Sequence, residues 1–137
     1  MDYEIRLAIS KDKKQLEKYD NHIHSNRLGE CIYNNQVYVI CSERRILGML
    51  RYSLFWQTIP FLDLIFIDNS IRKQGQGTTL LLYWEHQMKL MGYRHVMTST
   101  QSDETAWQFY EKLDYRKIGS FLPPEQNTDE WIYLKEL

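Results

Sequence analysis

The sequence has few of the residues that commit a chain to a specialised class. Its 137 residues include only two cysteines, too few for a disulfide framework, and a reducing cytoplasm suits them best. Its apolar runs are too short to span a bilayer, so we expect no membrane partner. Lysine and arginine (17) nearly balance aspartate and glutamate (18), which disfavours a nucleic-acid partner. With three prolines, six glycines and no repeat, the chain is expected to form one domain, residues 1–137.

The apolar residues that are present follow the periods of strands and helices. They predict an α/β fold with a mixed sheet. The predicted strands are 3–8, 37–41, 46–56, 61–67, 96–100, 115–120 and 130–135. Four helices are predicted. The first runs from an N-cap at Ser10 toward residue 20, and the second is short and lies within 22–35. The third runs from near Thr78 to a C-cap at Gly92, and the fourth covers 103–113 with Ser102 or Asp103 as its N-cap. The third helix should bury Leu81, Trp84, Met88 and Met91.

Residues 61–78 are the most informative part of the chain. An apolar strand is followed by the loop Arg72-Lys73-Gln74-Gly75-Gln76-Gly77 and then by a helix. The first N–H groups of a helix lack intrahelical partners, and its N-terminus is the positive end of the helix dipole. Together with the two basic side chains, these groups suit a pyrophosphate. The sequence therefore predicts that the chain binds a phosphorylated cofactor.

Asp63 is the one charged residue in the strand 61–67. A strand this apolar is expected to be central and covered on both faces, so burial should raise the pKa of the Asp63 carboxyl. The carboxylate could form an ion pair with Arg51 or Arg94, or it could act as a catalytic base. The residues alone leave both interpretations open.

Two motifs together resemble the GNAT superfamily of N-acetyltransferases. Ile67, four residues, and then Arg72-x-x-Gly75-x-Gly77 before a helix are similar to its acetyl-CoA motif. The segment Ala-Trp-Gln-Phe-Tyr-Glu-Lys-Leu-Asp-Tyr, residues 106–115, is similar to its closing helix and strand. The resemblance implies a GNAT-like fold, a mixed sheet flanked by helices around a βαβ core. It also implies that an acetyl group moves directly from acetyl-CoA to a primary amine in a ternary complex.

The resemblance implies which residues bind acetyl-CoA. The strand end would pair with the pantetheine amides, and the N–H of Ile67 would stabilise the thioester oxyanion. Asp103 stands where the family often has asparagine near the pantetheine arm. The pyrophosphate would lie against backbone N–H groups of the loop, beside the charge of Arg72. The implied binding residues are Phe66, Ile67, Asp68, Arg72, Lys73, Gln74, Gly75, Gln76, Gly77, Thr78 and Asp103.

The resemblance also implies two proton transfers. An amine with a pKa of about 10.4 is mostly protonated at pH 7 and must lose a proton before it attacks, and Asp63 matches the position of an acidic residue that could accept it. Tyr110 matches the family's helix tyrosine and would donate a proton to the departing CoA thiolate. The alternatives are that Tyr110 is only a core aromatic and that Arg72 and Lys73 are a solvated turn.

The acceptor cannot be identified from the sequence. By resemblance it would bind near residues 21–33 and 56–59, and it could be a small molecule or a peptide amine. No metal is predicted, because His22 and His24 have no third ligand at suitable spacing. The alternative function is a non-catalytic CoA-binding module that acts as a sensor or partner domain. The sequence is compatible with a homodimer.

Overall fold

A computed structural model describes residues 2–137. Its strands are β1 (Glu4–Leu7), β2 (Val37–Ser42), β3 (Arg45–Phe55), β4 (Ile59–Ile67), β5 (His95–Gln101), β6 (Arg116–Phe121) and β7 (Glu130–Glu136). Its helices are α1 (Lys13–Leu16), α2 (Ser25–Tyr33), α3 (Gln76–Leu90) and α4 (Ala106–Lys112), with 3-10 turns at Ser10–Asp12 and Asn69–Ile71. The strands form one mixed sheet in the order β1-β2-β3-β4-β5-β7-β6, flanked by the helices. The predicted α/β class with a mixed sheet is confirmed.

The contacts between Cα atoms divide the chain into two compact units. The first unit comprises the residues up to Ser53 together with Asp63–Gln87. The second comprises Leu54–Leu62 and Met88–Leu137. None of the helices in residues 2–137 combines the length and the apolar character needed to cross a bilayer.

The core of the first unit lies between the antiparallel strands β1 to β3 and the two short helices α1 and α2. Side chains of Leu16, Leu28 and Met49 are fully buried there. Burying an aliphatic side chain of this size stabilises the fold by about 2 kcal/mol. The remaining members of this apolar cluster are Ala8, Ile32, Val37, Val39, Cys41 and Ile46.

Strand β3 carries a bulge that brings it close to the end of β4. Ile40 of β2 pairs with Gly48, whereas the next residue, Cys41, pairs with Ile46, so Leu47 is the extra residue. A Cβ atom on Gly48 would stand 2.8 Å from the carbonyl oxygen of Phe66. Glycine at position 48 therefore permits a backbone approach that a larger residue would block.

Helix α1 is shorter than predicted, and Ser10 does not cap it. The carboxylate of Asp12 instead accepts the N–H of Ile9 at 2.8 Å and pairs with Arg6, also at 2.8 Å. This contact fixes a 3-10 turn before the helix, which ends at Leu16. The chain then continues through a polar loop to α2.

Helix α3 begins at Gln76, two residues before the predicted start, and ends as predicted at a glycine cap. Gly92 has a φ of 99°. Its N–H donates to the Lys89 carbonyl at 3.0 Å, and the N–H of the following residue, Tyr93, donates to the Met88 carbonyl at 3.1 Å. Leu81, Trp84 and Met88 are buried as predicted, but Met91 is 57% exposed because it lies beyond the last helical turn.

The second unit contains the antiparallel ladder β5-β7-β6 and the first half of β4. Phe61 and Leu62 of β4 pair in parallel with Met97 and Thr98 of β5. This pairing confirms the predicted βαβ unit. Helix α4 begins three residues later than predicted, and neither Ser102 nor Asp103 caps it.

Ser102 and Asp103 lie before the N-cap of α4 and are bonded to the loop before β7. The N–H of Ser102 donates to the Asp129 carbonyl at 2.8 Å, and the Asp103 carboxylate accepts the Thr128 hydroxyl at 3.2 Å. Thr105 occupies the N-cap position instead.

The turn between β3 and β4 has an uncommon backbone conformation. Trp56 and Gln57 both have positive φ, 56° and 61°, and the N–H of Thr58 donates to the Phe55 carbonyl at 3.0 Å. Positive φ at both central residues indicates a type I′ turn, which suits a hairpin but is rare for tryptophan. A groove of about 560 Å³ lies beside this turn in the second unit, and its walls include Phe55, Trp56, Phe61, Met97 and Phe121.

Strand β4 is central in the sheet, as predicted, but it is not covered on both faces. Among residues 61–67 Leu62 alone is buried, and the other six retain accessible area. The parallel ladder with β5 ends at Leu62, so the residues that follow have fewer neighbours. The prediction of full coverage is therefore wrong for the half of β4 that contains Asp63.

Candidate functional site

The loop after β4 is fixed at its start by Asp68. The Asp68 carboxylate accepts the N–H of Ser70 at 2.9 Å, the Ser70 hydroxyl at 2.7 Å and the Tyr19 hydroxyl at 2.9 Å. These bonds, led by the two from Ser70, lower the pKa of Asp68 to about 2. The carboxylate is ionised at neutral pH and holds the 3-10 turn that leads into the glycine loop.

Arg72 lies against the end of β4. Its Nε donates to the carbonyl of Ile67 at 2.8 Å, and its guanidinium carbon is 5.2 Å from the centre of the Phe66 ring. The positive charge is thereby held beside the strand end. Lys73, the next residue, has a φ of 61°, so the loop turns sharply immediately after Arg72.

The backbone of Gly75 is open on the side where a side chain would be. Its φ is 78°, a conformation that residues with a Cβ rarely adopt. Apart from Gly75 and its two chain neighbours, no residue among 2–137 places a heavy atom within 4 Å of the position of the Cβ that Gly75 lacks. A ligand can therefore approach this part of the loop closely.

The first turn of α3 presents N–H groups that the helix does not use. Thr79 donates both its N–H and its hydroxyl to the carbonyl of Gly75, each at 3.0 Å. The N–H groups of Gln76, Gly77 and Thr78 precede this first i to i−4 bond and so have no intrahelical acceptor. They lie at the positive end of a helix of 15 residues.

A cavity of about 750 Å³ opens beside the glycine loop in the first unit. The amide side chain of Gln74 lies on its wall and accepts the Tyr3 hydroxyl at 3.4 Å. Other polar residues on the wall are Ser42, Glu43, Arg45, Ser70 and Gln76.

The end of β4 orients its backbone groups in alternation. The N–H of Asp68 donates to the Leu47 carbonyl of β3 at 2.8 Å, and the carbonyl of Phe66 faces Gly48 of the same strand. Because alternate residues of a strand direct their backbone groups to opposite sides, the N–H of Ile67 points away from β3.

Ile65 has the same backbone orientation as Ile67, and the motif comparison missed it. The period of two along a strand is the signal that could have identified it. The Phe66 carbonyl and the Asp68 N–H, by contrast, are directed toward β3. The Asp68 carbonyl accepts the N–H of Ile71 at 3.1 Å.

Asp63 belongs to a cluster of two carboxylates and one guanidinium within the first unit. Nη1 of Arg51 lies 3.4 Å from Oδ2 of Asp63, and Nε of Arg51 lies 2.6 Å from Oδ2 of Asp20. The ion pair with Arg51 is thus present. Sequence reasoning missed Asp20, because it lies in a polar loop without a recognisable motif.

The surroundings of Asp63 raise the pKa of its carboxyl. Burial is the main cause, since it disfavours the charged form, and the neighbouring charge of Asp20 adds to it. A hydrogen bond from Ser53 and the charge of Arg51 oppose the shift. The direction agrees with the prediction, and 25% of the Asp63 side chain stays accessible.

Tyr110 lies in the second unit, on α4, and its side chain is almost fully buried. Its hydroxyl hydrogen-bonds with the Thr98 side chain, and the Thr98 hydroxyl donates to the Leu62 carbonyl at 3.1 Å. Burial raises the pKa of Tyr110 to about 12, so the phenol keeps its proton at neutral pH. The ring centres of Phe109 and Tyr115 lie 5.3 and 5.5 Å from that of Tyr110, so Tyr110 is also part of an aromatic core.

His24 has a structural role in the first unit. Its Nδ1 accepts the N–H of Asn26 at 3.3 Å and caps α2. Within residues 2–137, no three histidine, cysteine or acidic side chains are grouped closely enough to hold a metal ion.

Residues 4–115 match a family model described as the acetyltransferase (GNAT) family. Ard1 from Thermoplasma volcanium is similar in structure, with a TM-score of 0.84 and 15% identity over 98% of this chain and 97% of that one. An N-acetyltransferase from Staphylococcus aureus Mu50 has a TM-score of 0.81 and 18% identity over 99% of each chain. A chain of the NatC complex, bound to Gag peptide and CoA, has a TM-score of 0.83 and 10% identity over 100% and 99%. No curated protein matches the sequence.

Proposed function

We propose, since the chain belongs to the acetyltransferase (GNAT) family, that it transfers an acetyl group from acetyl-CoA to a primary amine. The observation that carries the proposal is the start of α3. Three N–H groups without helix partners, the open backbone of Gly75 and the guanidinium of Arg72 occur together at the end of a central strand.

This loop fits the diphosphate of acetyl-CoA. The N–H groups of residues 74–78 would bind the phosphate oxygens, with Arg72 and Lys73 supplying positive charge. The pantetheine arm would pair with the backbone groups of Ile65 that point away from β3, and beside them with the remaining lone pair of the Ile67 carbonyl, which also accepts from Arg72. We give Asp68 a supporting role in the loop, because its backbone N–H and carbonyl already have partners.

The N–H of Ile67 is suited to the thioester oxygen. Negative charge develops on this oxygen when an amine attacks the carbonyl carbon. A fixed backbone dipole stabilises that charge without reorganisation. Asp103 remains a proposed contact of the pantetheine arm.

Asp63 is proposed as the general base. It would take a proton from the attacking ammonium or amine, directly or through one water molecule. A raised pKa brings a carboxylate closer to the operating pH and makes it a stronger base. Its partly accessible side chain allows a substrate to approach.

Tyr110 is proposed as the general acid. When the carbon–sulfur bond breaks, the sulfur leaves with the electron pair, and the phenol would supply the proton that completes the thiol. Because its pKa is about 12, the phenol is protonated over the whole range in which the enzyme is expected to work.

Two measurements test the proposal. Calorimetric titration with acetyl-CoA is expected to show one site with micromolar affinity. Release of CoA thiol is then measured with a panel of amines that includes peptide N-termini, since one structural neighbour was solved with Gag peptide and CoA. Binding without turnover on a broad panel would favour the sensor alternative, and absence of binding would contradict both functions.

Tyr110→Phe is expected to lower kcat by about 10- to 100-fold with little change in acetyl-CoA affinity, because it removes the proton donor and keeps the ring. Steady-state kinetics with the best acceptor measure the effect. The matched control is Tyr133→Phe, which removes another buried phenol of the second unit, one that donates to Glu111 at 2.8 Å. Equal losses in both variants would assign Tyr110 to the core alone.

A further inference from the structure

Asp20 is a charged residue of the Asp63 cluster that the proposed reaction does not use. Its side chain is fully buried, and both of its oxygens bind Arg51. Oδ2 accepts from Nε at 2.6 Å and Oδ1 from Nη2 at 3.5 Å. Oδ1 also accepts the N–H of His22 at 3.3 Å. These bonds compensate the carboxylate for its lost hydration.

Arg51 therefore binds the two carboxylates unequally. Asp20 receives a short bond from Nε at 2.6 Å and a long one from Nη2 at 3.5 Å, whereas Asp63 receives only a long bond, from Nη1 at 3.4 Å. The Asp63 side chain also keeps accessible area, and that of Asp20 keeps none. Of the two, Asp63 is the carboxylate that water or a substrate can reach.

We propose that Asp20 is a positioning residue for Asp63. By holding the Nε edge of Arg51, Asp20 fixes the guanidinium and offsets its charge. Asp63 is then left with one long bond from Arg51 beside its hydrogen bond from Ser53, and its carboxylate can accept a proton. This inference rests on the proposed function, because it takes Asp63 as the base.

Charged and polar groups face Asp63 from three elements of the first unit. They are Arg51 and Ser53 on β3, Asp20 in the loop after α1, and the thiol of Cys31 on α2. Burial is the largest influence and raises the pKa of Asp63. Arg51 lowers this pKa, and Asp20 raises it. Removing the charge of Asp20 should therefore lower the pKa of Asp63, because its repulsion would no longer offset the attraction of Arg51.

Asp20→Asn tests the inference, because the amide keeps the shape and an acceptor oxygen for Nε of Arg51 but removes the charge. The readout is the side-chain carboxyl ¹³C resonance of Asp63, followed by NMR as a function of pH in the intact protein. The titration midpoint of Asp63 is expected to move to lower pH. A folded variant with an unmoved or raised midpoint would overturn the positioning role.

Asp12→Asn is the matched control. Asp12 is another buried carboxylate of the first unit that is paired with an arginine, Arg6, at 2.8 Å. Its substitution should cost comparable stability and leave the Asp63 midpoint in place. An equal shift in both variants would show a general loosening of the fold and overturn the specific role of Asp20.

A measurement on the wild type covers the case in which Asp20→Asn does not fold. The Nε–H resonance of Arg51 should stay protected from solvent exchange while Asp63 ionises, because Asp20 holds that edge throughout. Loss of protection as Asp63 gains its charge would show that the guanidinium turns toward Asp63, and this would overturn the inference.

Kinetics separate this inference from the proposed function. In a folded Asp20→Asn enzyme, kcat should fall more than KM changes, and the acidic limb of the kcat profile should move to lower pH. Full turnover in Asp63→Asn would overturn the base assignment and the positioning role together. An Asp63 titration that Asp20→Asn leaves unmoved would overturn the positioning role alone.

Discussion

Asp63→Asn is expected to lower kcat/KM for acetyl transfer by about 100- to 10,000-fold, the range that a general base contributes. The dissociation constant of acetyl-CoA should not change, since the substitution leaves the glycine loop and the end of β4 untouched. Calorimetry and initial rates on the same preparation measure the two quantities. Asp129→Asn, at an exposed position, is the control for a substitution of this kind.

The same substitution should stabilise the protein at neutral pH. Because the pKa of Asp63 is raised by burial, the folded state holds the proton at pH values where the unfolded chain has released it. Stability is therefore lost as pH rises from the ordinary aspartate pKa through the raised one. Asparagine has no such loss, so the melting temperature of Asp63→Asn should exceed that of the wild type at pH 7, and the difference should disappear in acid.

Lower activity together with higher stability would be the mark of a carboxylate kept for its chemistry. Full activity in Asp63→Asn would instead leave the pair with Arg51 as the role of this residue. Lower activity with lower stability would show that the ion pair supports the fold more than burial of the charge weakens it.

Gly75→Ala is expected to weaken acetyl-CoA binding by about 10- to 100-fold. Alanine is strained at a φ of 78°, and its methyl group would occupy the side on which the backbone is open to a diphosphate. Loss of one hydrogen bond to a charged group, about 1.5–3 kcal/mol, corresponds to this range. Calorimetric titration with acetyl-CoA measures it.

Gly92→Ala is the matched control for the glycine loop. Gly92 also has positive φ, 99°, and apart from Gly92 and its two chain neighbours no residue among 2–137 places a heavy atom within 4 Å of its Cβ position. Both alanines should cost about 1–2 kcal/mol of stability. Acetyl-CoA affinity should respond only at position 75, and equal affinity losses would reduce the loop to a structural turn.

The parts of the fold that the sequence predicts well are those set by local chemistry. Period-two alternation predicts the strands, and Gly92 marks the end of α3 because only glycine adopts its backbone conformation readily. The failures come from contacts distant in sequence. Ser102 and Asp103 look like helix caps, yet they are bonded to residues 128 and 129 and the helix begins only at Ala106.

The candidate site divides in the same way. The glycine loop can be predicted from the sequence because its residues are consecutive. Asp63 can be recognised because it is the one charge in an apolar strand. The role of Asp20 could not be predicted, because Asp20 lies in a loop without a sequence motif and contacts Arg51, 31 positions away. The exposure of β4 could not be predicted either, since it depends on where the ladder with β5 ends.

The crowding at Gly48 determines how the Ile67 amide is held. A Cβ at position 48 would stand 2.8 Å from the Phe66 oxygen and 2.9 Å from Cδ1 of Ile67, so β3 and β4 leave no room for a side chain here. The peptide group proposed to stabilise the oxyanion is thus held against β3, while Arg72 of the loop contacts the next carbonyl, that of Ile67. A group held in this way needs no reorganisation to meet the charge that the proposed reaction develops, so the packing at Gly48 would contribute to catalysis without touching the substrate.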